Sequence, residues 1–596
     1  MSQKGDSREN FFEAETLDYS TTSDNVKKNE ALICNNCKLH EIQLSVFREY
    51  IGDPLAFIFL FYNKLSGGNI ESYFSNRLKE IVLDVDGIMT HISFVDMISE
   101  MDIGVKYVKN SLKLTSKDVC IIGIGGDGSL STLVNLFLEE IPESEERLVF
   151  AVLPFGTGND WARNFGWSSY GNIKFMKDDF VPLVDLARGI FTSKVINFDL
   201  WMIEVELINK EDSCFLRVNP FTQELQRMET CRDDNEIEEL KSSIINKNVG
   251  VNNKLLKLKK RCLNYFSFGE ESRVGITFDT YRKKNVLINR ALYGLAGSVF
   301  SVNLKNKQQN IPLSHSTQGV YLIDKNQNIF QHDNFSCALC PNGIKHTMSS
   351  LNIKENTDEE DINICPTLSN SVSLVFLNIE TFGGGIHLWK NSKNLGHSIS
   401  SDSSKTNINL GEMVGTISSL LTSPITLQVE QNETNITNLG VNSTNGTLTE
   451  NEKGIEEQFR VLSSKKTDKK EYSSEREVIR EKILNIIPSS CDKKMEIMSF
   501  SGLIDISSIF LPYMSTARRV GQFSPFETGN KEEQNLVILF NENQVNNSES
   551  SNLIEMYFQI DGEYYLAKEP KQCTLKYDRT IRILNCILPY SPFVLK

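Results

Sequence analysis

No apolar run in this chain approaches the roughly 18 residues that a membrane-spanning helix needs, and Met1-Ser2-Gln3-Lys4-Gly5 opens no apolar signal region. Ser2 stands where N-myristoylation would require a glycine. A soluble or peripherally membrane-associated protein is expected. A cysteine framework is also missing. The 12 cysteines are scattered over 596 residues, which fits a reducing compartment such as the cytoplasm. Cys34-x-x-Cys37 and Cys337-x-x-Cys340 have no second pair at the spacing of a four-ligand zinc site, so isolated thiols are the simpler reading. Basic charge is in deficit: 63 Lys and Arg face 77 Asp and Glu, a net charge of −14. That argues against a general nucleic-acid binder, which needs a basic footprint, and leaves local contact with an anionic membrane open. Two common phosphate-binding signatures are absent as well. There is no Gly-x4-Gly-Lys-Ser/Thr loop, and Gly123-x-Gly125-Gly126 lacks the third glycine of a dinucleotide fingerprint.

What is present is a set of apolar runs that stop at glycine. Val119–Ile124 reads as a buried strand ending in Gly125-Gly126-Asp127-Gly128, with hydroxyls at Ser129 and Ser131. Leu130, Leu133, Val134 and Phe137 follow at helical spacing. A strand that turns on glycines into a helix aims backbone N–H groups and a helix N-terminus at one spot, which suits a phosphate. A bare anion cradle has no use for the carboxylate of Asp127, but a site that handles Mg-nucleotide or a proton does. Leu55–Tyr62 ends at Asn63-Lys64-Leu65-Ser66-Gly67-Gly68, and Leu148–Leu153 ends at Pro154-Phe155-Gly156-Thr157-Gly158-Asn159-Asp160 before a helix begins at Trp161. Asn159 and Asp160 are favoured caps for that helix. Three such units imply a parallel sheet with its ligand loops together at the carboxyl edge.

Organisation changes along the chain. Residues 1–48 are polar and read as a disordered tail. An α/β domain with a parallel sheet is expected over 50–201, then a β-rich domain over 202–590, interrupted by low-complexity inserts near 208–255, 303–370 and 391–490. The Ser- and Asn-rich stretch Glu430–Asn451 cannot bury enough surface to order itself. Strand-like segments return at Leu374–Ile379, Met495–Ser499, Asn535–Phe540, Met556–Ile560 and Thr580–Leu584.

Taken in order, these motifs resemble the diacylglycerol kinase family, within the lipid kinases that include sphingosine and ceramide kinases. The family's Gly-Gly-Asp-Gly-Thr loop appears as Gly125–Ser129, with serine keeping the hydroxyl. Pro-x-Gly-Thr-Gly-Asn-Asp-x-Ala-Arg appears intact as Pro154–Arg163. Asn-Pro-x-Ser-Gly-Gly appears as Asn63–Gly68 with Lys64 for proline, and Asp-Arg-Trp as Asp199-Leu200-Trp201. Asn264–Gly269, with Glu271 where Asp is usual, resembles the opening of the family's accessory domain. Leu377-Asn378-Ile379 with Gly383-Gly384-Gly385 and Trp389 is similar to a further segment of it. Gln559-Ile560-Asp561-Gly562-Glu563 is similar to its Gln-x-Asp-Gly-Glu motif, which by itself reads as a hairpin turn.

The resemblance implies ATP and Mg2+ as cofactors and membrane diacylglycerol as substrate, with phosphatidic acid as product in lipid signalling. It implies nucleotide contacts from Asn63, Ser66, Gly67, Gly125, Gly126, Gly128, Ser129, Gly156, Thr157, Gly158, Asn159 and Asp160. Asp127 would orient the hydroxyl or meet Mg2+ through water, the metal being held mainly by ATP. Glu563 would be the general base, with Asp561 behind it and catalysis in a cleft between the domains. Lys254, Lys257, Lys259, Lys260 and Arg261, interleaved with leucines, form the best basic-apolar patch for membrane contact, or else a solvated helix face. Phe510–Phe523 is a second candidate, better read as core. A sphingosine- or ceramide-type kinase and a catalytically silent membrane-recruited scaffold remain as alternatives. No diacylglycerol-binding Cys/His module, EF-hand loop or ankyrin-type repeat is recognisable.

Overall fold

Four strands set the centre of the first sheet: Ile88–Asp96, Leu55–Tyr62, Val119–Gly125 and Leu148–Pro154, in that order and all parallel. Leu55–Tyr62 and Val119–Gly125 are apolar almost throughout because both sheet faces are covered. Helices Met101–Leu114 and Asp127–Glu140 do part of that covering, and Leu130, Leu133, Val134 and Phe137 are all buried against the sheet as their spacing predicts. The computed structural model describes residues 31–32, 55–64, 80–142, 146–156, 158–171, 181–219, 222–228, 255–281, 311–324, 334–336, 345–347, 366–392, 394–395, 483–508, 517–526, 533–541 and 554–586. The chain divides into two compact units, 1–398 with 487–596 and 399–486. Both large sheets belong to the first. Most of the 391–490 insert, and the 1–48 tail apart from Ala31–Leu32, lie outside the described residues.

Beyond Leu148–Pro154 the first sheet continues with Pro570–Asn585, Gln534–Phe540 and Thr317–Asp324. Pro570–Asn585 meets Leu148–Pro154 in parallel at Ile583 and Phe150, and runs antiparallel to Lys194–Leu207 along its length. Thr580–Leu584, expected in the second domain, thus continues the sheet of the first. The second sheet has nine strands, with Ser373–Leu377, Tyr265–Gly269, Glu555–Ile560 and Glu563–Lys568 at its middle. Its inner face carries Phe266, Phe268, Phe376 and Phe558, which pack with Trp201, Ile203 and Val205 of the first sheet in one core. The accessory region is therefore a sandwich of an extension of the first sheet over the second.

Some strands lie where polar inserts were expected: Cys214–Val218 and Leu225–Arg227 within 208–255, and Thr317–Asp324 within 303–370. The hairpin Glu80–Val85 to Ile88–Asp96 turns on Asp86 and Gly87, both at positive φ (55° and 84°). Asp-Gly between apolar runs is a sequence signal for this turn.

The basic stretch is not a helix face. Lys257–Cys262 is a strand antiparallel to Lys194–Leu207. Lys257 and Lys259 point outward and pair with Glu204 at 3.1 and 3.8 Å, where Lys576 joins them at 2.6 Å. Arg261 turns to Asp578 at 2.7 Å and Asn135 at 3.2 Å. Alternation along the strand sends Lys260 inward. Lys254 lies outside the described residues. In the second candidate, Arg518–Phe523 is a strand of the second sheet, and Arg519 donates to Trp389 O at 2.7 Å.

Candidate active site

The loops after the parallel strands meet as the sequence predicts. Asn63 N donates to Ile124 O, and the amides of Phe155 and Gly156 donate to Gly125 O at 2.8 and 2.9 Å. The two glycine loops touch backbone to backbone: a Cβ on Gly156 would lie 2.3 Å from Gly126 Cα. Gly128 is exposed, and a Cβ there would meet nothing within 4 Å. The amides of Ser129 and Leu130 turn back to Gly126 O, which leaves those of Asp127 and Gly128 as the leading donors of the helix. Asn63 Nδ2 reaches Ser129 Oγ at 3.4 Å. Lys64, where the family has proline, pairs with Asp96 at 3.1 Å. Ser66, Gly67 and Thr157 lie outside the described residues.

Asp127 begins the helix after the first glycine loop but serves the second loop. Its Oδ2 accepts the Asp160 amide at 2.8 Å, and its Oδ1 the Trp161 amide at 3.1 Å. It thereby caps helix Asp160–Asn164 from the neighbouring loop. Asn159, the expected cap, does something else. It adopts a left-handed φ of 56°, accepts the Gly156 amide at 2.9 Å and donates to Gly156 O at 2.7 Å, closing its own loop. Burial, then the nearby Asp160 charge, raises the Asp127 carboxyl to about 7 against the pull of the two amides.

The Asp160 side chain is fully buried and faces the accessory region. Its carboxylate accepts the amides of Gly384, at 2.9 Å, and Gly385, and the Tyr265 hydroxyl at 3.0 Å. Thr381 Oγ1 donates to Asp160 O at 3.0 Å, and Arg163 Nη1 donates to Gly384 O. The carboxylate ties the second glycine loop to Gly383-Gly384-Gly385.

Asp561 and Gly562 turn the hairpin between Glu555–Ile560 and Glu563–Lys568, with φ of 51° and 82°. The buried Asp561 carboxylate accepts the amides of Leu263, Asn264 and Tyr265 at 2.8, 2.7 and 3.2 Å. Burial raises it to about 6, outweighing those three amides. Glu563, the first residue of the outgoing strand, is held by Tyr565 of its own strand, Arg217 of the paired strand Cys214–Val218 and Lys260 of the first sheet. Lys260 Nζ and Tyr565 Oη (2.6 Å) donate to its Oε2, and Arg217 Nη2 stands 3.6 Å away. Burial pushes its carboxyl up, but Lys260 and Arg217 more than offset this and hold it at about 2. Arg217 sits in no motif that the sequence offered, and Lys260 falls in the basic patch rather than in a site motif. The inward phase of Lys260 in an alternating strand was the one available signal.

Other motif residues are structural. Asn378 accepts from Trp201 Nε1 at 2.9 Å and donates to Asp199 O and Leu263 O at 2.8 and 2.6 Å. Leu200, where the family has arginine, is fully buried in the first core. Glu271 is buried and accepts from Ser267 Oγ. Among the described residues no group of three or more His, Cys, Asp or Glu is arranged to hold a metal ion, and both oxygens of Asp127 already accept amides. No helix among the described residues is long and apolar enough to cross a membrane.

Residues 58–178 match the diacylglycerol kinase catalytic domain, and residues 262–438 match the diacylglycerol kinase accessory domain. The chain belongs to the diacylglycerol kinase family. The eye-specific diacylglycerol kinase of Drosophila melanogaster is 22% identical over 272 residues, which is 46% of this chain and 14% of that protein's length. Within this diacylglycerol kinase family chain, the catalytic-domain match contains both glycine loops, and the accessory-domain match begins at Cys262, against the Asp561 turn.

Proposed function

We propose that this protein transfers the γ-phosphoryl group of ATP to the free hydroxyl of diacylglycerol at a cytoplasmic membrane surface, releasing phosphatidic acid for lipid second-messenger signalling. The observation that carries the reading is one unbroken polar chain from the glycine loops to the Asp561–Glu563 hairpin. Asp127 holds the Asp160 helix, and Asp160 holds Tyr265. The Tyr265 amide lies on Asp561, two residues from Glu563. Phosphoryl transfer is mostly positioning and charge stabilisation, so a rigid link between the nucleotide side and the acceptor side is what the reaction needs.

In this reading the Asp127 and Gly128 amides, Ser129, Asn63 and the Gly156–Gly158 turn receive the triphosphate. Glu563 takes the proton of the lipid hydroxyl as its oxygen attacks. Asp561 fixes the turn that presents Glu563. Asp127 and Asp160 position the two loops rather than touch the phosphates. Ser66, Gly67 and Thr157 keep the nucleotide roles that the family resemblance gives them.

The test is a three-way assay of the purified protein with MgATP and phosphatidylcholine vesicles carrying diacylglycerol, sphingosine or ceramide. Phosphate should enter diacylglycerol at a rate at least tenfold above the other two. Asp127→Ala and Glu563→Gln should each lower that rate by a hundredfold or more. Equal labelling of sphingosine or ceramide would move the substrate class, and no labelling of any lipid would sink the enzyme reading.

A further inference from the structure

A buried ammonium must find a counter-charge or lose its proton. Lysines 257 and 259 avoid that problem by facing out to Glu204. Lys260, between them and the buried Cys262, is 7% exposed and faces Glu563. The contacts around Glu563 are one-sided. Lys260 Nζ, Tyr565 Oη and the nearest approach of Arg217 all fall on Oε2. Lys260 also donates to Tyr565 Oη at 3.1 Å, so ammonium, phenol and carboxylate form a closed triangle with the guanidinium at its side. Asp561, at the turn of the same hairpin, directs its own carboxylate to the 263–265 amides instead. None of the motifs that carry the family resemblance includes Lys260.

We propose that Lys260 is a positioning residue for the phosphoryl transfer: it holds Glu563 by one oxygen and sets how readily the other takes the lipid's proton. This rests on the reading of Glu563 as the general base. In the step itself the lipid O–H bond breaks as its oxygen bonds to the γ-phosphorus. The bond from γ-phosphorus to the bridging oxygen breaks, ADP keeps that electron pair, and the proton goes to Glu563. Flanked by two cations, the protonated carboxyl is a strong acid. It therefore returns its proton to water before the next turnover and begins each cycle ionised. Lys260 trades proton affinity for an always-ready base.

The experiment is the pH profile of kcat/KM between pH 5 and 9, on the full chain with MgATP and diacylglycerol vesicles. The wild type should show no acidic limb from Glu563, since Lys260 and Arg217 hold its titration far below the range. In Lys260→Met the largest offset to burial is lost, and an acidic limb should enter the range with a midpoint between pH 5 and 7. Lys260→Arg keeps the cation and should keep the wild-type profile. Arg217→Met removes the more distant cation and should move the limb in the same direction by less. Arg217 is 28% exposed, so that variant carries the test if Lys260→Met fails to fold. Lys260→Met and Arg217→Met profiles that match wild type, with Glu563→Gln inactive, would overturn the role of Lys260 and leave the base standing. Wild-type turnover in Glu563→Gln would remove the base and the proposal together.

Discussion

A single methyl group separates two roles of glycine in the first site, and the pair Gly156→Ala and Gly128→Ala measures both. At position 156 the new Cβ would lie 2.3 Å from Gly126 Cα and 2.8 Å from Gly126 N. Carbon atoms in contact prefer about 3.5–4.0 Å, so the loops must part by more than about 1 Å. The obstacle is backbone on both sides, and no rotamer relieves it. Overpacking of this kind costs about 1–3 kcal/mol. The two amide bonds to Gly125 O stretch with it, at about 1 kcal/mol each. We expect a stability loss of about 3–5 kcal/mol, read as a lower urea midpoint at unchanged m-value. Turnover should fall by about a hundredfold, because a loop shift near 1 Å misplaces the reactants.

At position 128 the Cβ meets nothing. Alanine is the better helix former there by about 0.5–1 kcal/mol, so the midpoint should stay or rise. If the Asp127 and Gly128 amides receive phosphate, the methyl intrudes on the nucleotide, and KM for ATP should rise about tenfold. A Gly156→Ala protein with wild-type stability would refute the loop contact. A Gly128→Ala enzyme with unchanged KM for ATP would refute the nucleotide assignment of that turn.

Further predictions concern the buried carboxylates. Asp160→Ala leaves the Gly384 and Gly385 amides and the Tyr265 hydroxyl without their acceptor; it should cost about 3–5 kcal/mol in urea unfolding and abolish turnover, whereas a loss below about 1 kcal/mol would mean that the tie is not formed. Asp561→Ala strips the acceptor from three buried amides, and the expected loss is similar; soluble protein with a wild-type midpoint would contradict it. Glu496 is fully buried, has one carboxylate oxygen without a partner among the described residues, and is raised by burial to about 8. Its folded pKa lies above the unfolded value of about 4.5, so the folded state binds more protons between those limits and stability falls as pH rises through them. Glu496→Gln should therefore match wild type near pH 4.5 and exceed it by about 1–3 kcal/mol at pH 8.5; equal midpoints at both pH values would be the failing result. Asp127 and Asp561, raised to about 7 and about 6, contribute in the same direction. Glu563, held at about 2, contributes stability above its unfolded pKa that is lost as pH falls from about 4.5 toward 2.

Parallel strands buried on both faces leave the plainest trace in a sequence, and Leu55–Tyr62, Val119–Gly125 and Leu148–Pro154 were legible for that reason, along with the glycine loops that end them. Long-range choices left none. Asn159 and Asp127 are equally good caps by residue type, and only the contact of the two loops decides for Asp127. The direction of Asp160 depends on Gly384, over two hundred residues away. Thr580–Leu584 reads as a strand, but nothing in its pattern says which sheet it joins. The stretch from Lys257 to Arg261 fits both a helical and an alternating period, and Glu204 on the adjacent strand settles it.

The pairing of Ile583 with Phe150 has a temporal consequence. A ribosome must add roughly 430 residues after Leu153 before the strand that flanks Leu148–Pro154 emerges, which at about 5–20 residues per second takes about 20–90 seconds. During that interval the first sheet ends in an unpaired edge. Until then the first sheet cannot take up the strand order it has in the finished protein.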